Sequence, residues 1–299
     1  MQFSIKSSLH SSIKSSIIIL KLVVPIYILS DILFHYNLLR YVTFIFEPIT
    51  SIISLPPETA ISIVSGMFLN LYAAIAFAAP LDLSPKEWTI LAIFLGICHS
   101  LIVETAVMKK LGISKIFSIM LRVIVGLMAG FATTLLPDEL FETNFIQKTA
   151  QEATKHFDSF FDLITNSLSN SIYLSMQIII LITTLIFILD YIKSLKMIQK
   201  YSAKVNSAFS ISIGVVLGIT YGAGILINEY KKDTLSKNEI LFIGTFLMIC
   251  HAIIEDTLLF VIFGANIWII VSMRLIFAII ISYLIIKVYA KLKNPLHVK

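Results

Sequence analysis

Charge is what this chain is short of. Asp, Glu, Lys and Arg make up 14% of its 299 residues and hydrophobic residues 58%, whereas soluble globular chains are about 25% charged. No single apolar core absorbs that much Ile, Leu and Phe, so a soluble domain is excluded and lipid must solvate much of the surface. The sequence has two cysteines, Cys98 and Cys250, each inside an apolar run, which excludes a disulfide scaffold of the secreted kind. It has no G-x-x-x-x-G-K-[ST] motif, which excludes P-loop nucleotide chemistry. No Ser–His or paired-Asp arrangement with a base stands out, so an intramembrane hydrolase fits poorly; the chain is not expected to be an enzyme or to carry a cofactor. Its apolar runs are continuous and do not alternate in segments of about ten residues, which argues against a β-barrel. The net charge of +5 comes from lysines at the ends of apolar runs, a pattern of inner-membrane loops and not of nucleic-acid binding.

What is present is a series of long apolar runs: 16–36, 59–79, 88–107, 113–136, 172–190, 207–228, 240–263 and 267–286. Most reach the roughly 18–20 residues that a spanning helix needs. The fold class is therefore all-α, a polytopic helical membrane protein. The first run is longer than a signal-peptide core and no A-x-A-like site follows it, so it reads as a retained helix.

The stretch GICHSLIVET at 96–105 returns as MICHAIIEDT at 248–257, with His99 and His251 at 251 − 99 = 152 residues apart. The same offset pairs Ser84 with Ser236, Glu87 with Glu239, Cys98 with Cys250, Thr105 with Thr257, Gly112 with Gly264 and Arg122 with Arg274, sets Glu104 on Asp256, and sets Gly66 on Gly218. Matches among Leu, Ile and Phe are cheap in this composition; Cys, His, Gly, Arg and an acid in register are not. Two repeats follow, 1–136 and 172–299, joined by a polar, acidic link at 137–171.

Each repeat reads as a spanning helix, a shorter interfacial piece (41–55; 193–206), a Gly-interrupted apolar segment, the Cys-His helix and the Arg helix. If the Gly-interrupted segments are re-entrant hairpins, each repeat crosses three times and the repeats are inverted. With the N-terminus in the cytoplasm, Lys109, Lys110, Lys115, Lys193 to Lys204 and the C-terminal lysines then fall inside and the acidic link outside, as the positive-inside rule favours. Six spans and two hairpins are expected, in the inner membrane, with both termini cytoplasmic.

His99 lies eleven residues beyond Trp88, about 16 Å at helical rise, near the middle of a core about 30 Å thick. An intramembrane Arg needs a partner: Glu104 for Arg122, and Glu255 or Asp256 for Arg274. Such pairs either fix helix packing or face a hydrated cavity that binds a substrate. His99 and His251 either rest on backbone carbonyls or carry a proton or a metal. Cys98 and Cys250 are either small apolar fillers or, with His99 and His251, a four-ligand metal site. Paired broken segments mark the binding site of inverted-repeat transporters, which brings in Gly66, Asn70 and Tyr72 opposite Gly218 and Tyr221; alternatively these glycines serve close packing. The candidate substrate or proton residues are thus His99, Glu104, Thr105, Arg122, His251, Glu255, Asp256, Thr257, Arg274, Gly66, Asn70, Tyr72, Gly218 and Tyr221.

The two-repeat layout, with GMFLNLYAAIA, CHSLIVETAV and a following Arg helix, resembles the gate-domain superfamily, also called the nucleoside-recognition domain. That superfamily includes concentrative nucleoside transporters, the membrane part of ferrous-iron transporter B and spore maturation proteins A and B. The resemblance implies a membrane protein with a central site that moves a small polar solute or an ion. The alternatives it carries are a metal-ion permease, and a non-transporting subunit that holds a membrane partner or a second copy of itself. The Gln-Thr-Glu and Asn-rich hairpin chemistry of sodium-coupled nucleoside transporters is missing, so the solute stays open, nucleoside-like or other.

Overall fold

The computed structural model describes residues 3–38, 40–44, 46–142, 159–195, 211–212, 214–216, 218 and 235–293. Among them there is no strand, and six helical stretches are long and apolar enough to cross a membrane. In chain order the helices are α1 (Ile5–His35), α2 (Arg40–Thr43), α3 (Glu47–Ile52), α4 (Thr59–Phe68), α5 (Leu71–Ala78), α6 (Pro85–Cys98), α7 (Leu101–Lys110), α8 (Lys115–Thr134), α9 (Phe160–Ser194), α10 (Lys237–Ile249), α11 (Ile253–Val261) and α12 (Ile267–Lys293).

Three expectations change. The first helix starts at Ile5, not near residue 16, because Ser4 caps its N-terminus through Ser7 N–H and the polar first turns continue it. Residues 160–171, read as part of the link, belong to α9, where Ser159 supplies the cap and Ser167 and Ser171 are buried against α1. The third change is the largest. The Cys-His runs are not single helices: each breaks at the Cys-His pair, giving α6–α7 and α10–α11. The interfacial piece at 193–206 falls outside the described residues from 196 onward.

α4 and α5 have ten and eight residues, about 15 and 12 Å, too short to span. They pack on each other as a hairpin tied by Ser62 Oγ–H to Ala74 O at 2.8 Å. Asn70 turns the chain, its Oδ1 accepting from Ala73 N–H at 3.0 Å.

The two repeats share their backbone punctuation. α6 and α10 both open with a capping box, Ser84 with Glu87 and Ser236 with Glu239, which satisfies two of the orphan N–H groups at each start. α7 and α11 both end in a Schellman motif. Gly112 (φ +78°) and Gly264 (φ +88°) take the left-handed position, with Ile113 N–H on Met108 O and Ala265 N–H on Phe260 O. The matched Ser, Glu and Gly residues of the repeat are therefore helix starts and stops.

Equivalent helices run in opposite directions. Ser8, at the start of α1, bonds Asp190 near the end of α9, and Ser167, near the start of α9, bonds Asp31 near the end of α1. Trp88 at the start of α6 stacks on Phe263 just past α11, ring centroids 4.3 Å apart, and Asn266 N–H reaches Thr89 Oγ1 at 2.8 Å. The broken helices form the centre. In each, 72% of the most apolar window is buried, against 22–44% for the other four spans. α8 and α12 lie against them.

Candidate functional site

A helix broken inside a membrane exposes backbone groups that lipid cannot satisfy. Each break is closed by an arginine from the next helix. Arg122, from α8, gives Nε–H to Ile97 O at 2.6 Å and Nη2–H to His99 O at 2.8 Å. Arg274, from α12, gives Nη2–H to His251 O at 2.7 Å and reaches Ile249 O with Nε at 3.4 Å. Both side chains are 0% exposed. The guanidinium fork suits this task because it presents several donors in one plane and keeps its charge. Arg274 also crosses to the first repeat, with Nη2 on Gly96 O at 2.7 Å. A Cβ on Gly96 would stand 3.0 Å from the guanidinium carbon, so glycine there makes room for the crossing.

The first hairpin supports the break from the other side. Ser100 takes the left-handed conformation (φ +48°), with its N–H on Gly66 O at 2.9 Å and its Oγ–H on Leu69 O at 3.0 Å. In the second repeat Ala252 (φ +45°) gives its N–H to Gly214 O at 3.3 Å. The ideal Cβ positions of Gly66 and Gly214 lie 2.6 and 2.5 Å from the Cδ2 atoms of Leu95 and Leu247 respectively. Gly214 thus fills the place of Gly66, and the expected pairing of Gly66 with Gly218 is four residues out, about one helical turn. Gly218 (φ +85°) sits beside the second break instead, its ideal Cβ 3.6 Å from Ala252 Cβ.

At the centre, Glu104 of α7 meets both histidines. Its Oε1 is 3.0 Å from His99 Nε2 and 3.1 Å from His251 Nε2, and its Oε2 is 2.8 Å from Arg122 Nη2. That last approach is close enough for an ion pair but not aligned as a hydrogen bond, and Oε2 has no hydrogen-bond partner among the described residues. The imidazole rings stand 5.2 Å apart. His99 Nδ1 is 2.9 Å from Leu95 O and His251 Nδ1 is 2.7 Å from Leu247 O. A carbonyl only accepts, so each Nδ1 carries the hydrogen. A neutral ring then presents the Nε2 lone pair, and both lone pairs face a carboxylate oxygen. Such a constellation needs positive charge brought into it.

Asp256 is one methylene shorter than Glu104. It pairs with Arg274 at 3.2 Å, and neither histidine bonds it among the described residues. The acid for Arg274 is therefore Asp256 and not Glu255. Glu255 instead accepts from Tyr72 O–H at 3.3 Å, a link from the first hairpin to α11.

The remaining candidates fall elsewhere. Thr105 lies 3.4 Å from Ser118 Oγ in the α7–α8 contact, and the buried Thr257 hydroxyl has no partner among the described residues. Asn70 is a cap. Tyr221 lies outside the described residues. The four-ligand site of Cys98, His99, Cys250 and His251 is not assembled. Cys98 gives its thiol hydrogen to Arg122 O at 2.9 Å, and among the described residues the convergent metal-type ligands are His99, Glu104 and His251. The thiol of Cys98 is held on the Arg122 carbonyl and so is kept from the imidazoles; Cys250 is buried and not among the convergent ligands. Sequence reasoning missed Gly96, Ser100, Gly214 and Ala252. Only Gly214 left a signal, visible if the hairpins are aligned with a four-residue gap.

Residues 16–115 match the Gate family model, described as nucleoside recognition. Over 289 residues the chain is 28% identical to the uncharacterized membrane protein YvoD of Bacillus subtilis (strain 168), covering 91% of each chain. No solved structure matches it. The resemblance expected from the motifs is thereby met over the first repeat.

Proposed function

We propose that this gate-domain membrane protein is a transporter, not an enzyme, and moves a small polar solute through the junction of its α4–α5 hairpin and broken helices. The observation that carries the reading is the meeting of two interrupted helices around His99, Glu104 and His251. Interrupted helices at membrane depth are found where backbone is buried in protein or lines a cavity, and paired breaks mark the site in inverted-repeat transporters. The cluster's need for positive charge gives the coupling: a cation enters with the solute, a proton being the simplest. The orientation that fits the lysine distribution puts both termini in the cytoplasm and the protein in the inner membrane.

The test is uptake by proteoliposomes holding the purified chain, under an imposed pH gradient, against a panel of nucleosides, nucleobases, organic acids and metal ions. The expected result is gradient-dependent uptake of one class, lost in His251→Gln. No uptake of any class, together with a stable complex formed with a membrane protein, would make the chain a non-transporting subunit.

A further inference from the structure

We propose that His99 Nε2, His251 Nε2 and a Glu104 carboxylate oxygen bind one first-row divalent transition-metal ion. This names the cation of the transport reading, and rests on that reading only for the claim that the ion moves.

The three ligand atoms lie within 4.8 Å of one another, and all three residues are buried. Metal bonds of about 2.0–2.2 Å place the ligands of a tetrahedral site about 3.3 Å apart. The two Nε2–Oε1 separations of 3.0 and 3.1 Å are a few tenths of an ångström short of that, so an ion enters with a small readjustment of the three side chains. Each Nδ1–H is held by a carbonyl, of Leu95 or Leu247. That bond fixes the tautomer whose Nε2 is free to ligate and orients the ring, the usual outer contact of a metal-binding histidine. A single proton in the cluster satisfies only one of the two Nε2–Oε1 contacts. A metal ion satisfies both.

Two imidazoles and one carboxylate make a donor set suited to Zn, Fe, Mn or Co and not to Na, Mg or Ca, which prefer oxygen. Three protein ligands leave a position for water or solute. Arg122, 2.8 Å from Glu104 Oε2, places a fixed cation beside the site. Its repulsion holds the affinity down, which suits an ion that must leave again.

The test uses the full chain in detergent, stripped by chelator and titrated with Co²⁺ and, in competition, Zn²⁺. We expect one Co²⁺ per chain, with visible d–d bands of a low-symmetry site. We expect affinity lower by on the order of 100-fold in His251→Gln and Glu104→Gln, and unchanged in Cys98→Ser and Cys250→Ser. Elution as a single species qualifies each variant; if Glu104→Gln fails this, the wild-type stoichiometry and His99→Gln decide. Absence of stoichiometric Co²⁺ in the wild type, or loss in the cysteine variants alone, overturns the site. Proteoliposome uptake separates the two readings: Co²⁺ bound with no flux keeps the metal site and retires transport, while solute uptake with no Co²⁺ bound retires the site alone.

Discussion

The two repeats carry the same punctuation, yet one of them owns the centre. Glu104 reaches His99, His251 and Arg122, while Asp256, at the equivalent position, holds Arg274. One methylene separates them. Arg274 in turn reaches across to Gly96 O, whereas the carbonyls that Arg122 caps, of Ile97 and His99, are its own repeat's. Duplication supplied two equal frames, each giving one histidine, and small differences in side-chain reach gave the first repeat the shared carboxylate and the second the tie between the halves.

The largest expected effect comes from removing a cap. Arg122→Ala leaves two carbonyls and Glu104 buried and unpaired, and should cost about 3–5 kcal/mol, read as a lower melting temperature in detergent. Arg274→Ala should cost as much and also loosen the contact between repeats, so limited proteolysis should separate them. Survival of Arg122→Ala at wild-type stability would show that the breaks are held by something else.

Exchanging the acids sharpens the comparison next. Glu104→Asp withdraws the carboxylate from both imidazoles and should weaken Co²⁺ binding by on the order of 10–100-fold and lower uptake with it, with a melting-temperature change of only a few degrees. Asp256→Glu keeps its arginine and should leave both within a few-fold of wild type. Equal losses in the two would mean the repeats contribute alike.

The smallest effect is at the left-handed residues. Ser100→Gly and Ala252→Gly each remove a left-handed strain of about 1–2 kcal/mol. Ser100→Gly also loses the Oγ–H bond to Leu69 O, worth about 1 kcal/mol, so Ala252→Gly should stabilise more. Thermal unfolding of the two variants side by side checks the order.

Much of the fold was readable from residue types. Runs of Ile, Leu and Phe announce spans because lipid is their solvent, and the register of Ser84 and Glu87 with Ser236 and Glu239 announces the duplication. The pairing of Arg122 with Glu104 followed from the cost of an isolated charge in a bilayer. The breaks were not readable. Ser100 and Ala252 are ordinary residues for a helix, and nothing local marks them as left-handed; the Gly66 and Gly214 carbonyls and the two arginines, distant in sequence, stabilise that conformation.

The sequence by itself determined an all-helical, duplicated membrane chain with ionisable groups inside its apolar runs, because composition and periodicity are local properties that the solvent reads directly. The tertiary structure alone decided which of those groups meet. Cys98 and Cys250 left the cluster, Glu104 took both histidines and Asp256 took neither, because the direction of a side chain at a helix break is set by hydrogen bonds from other helices, and spacing along one chain cannot encode them.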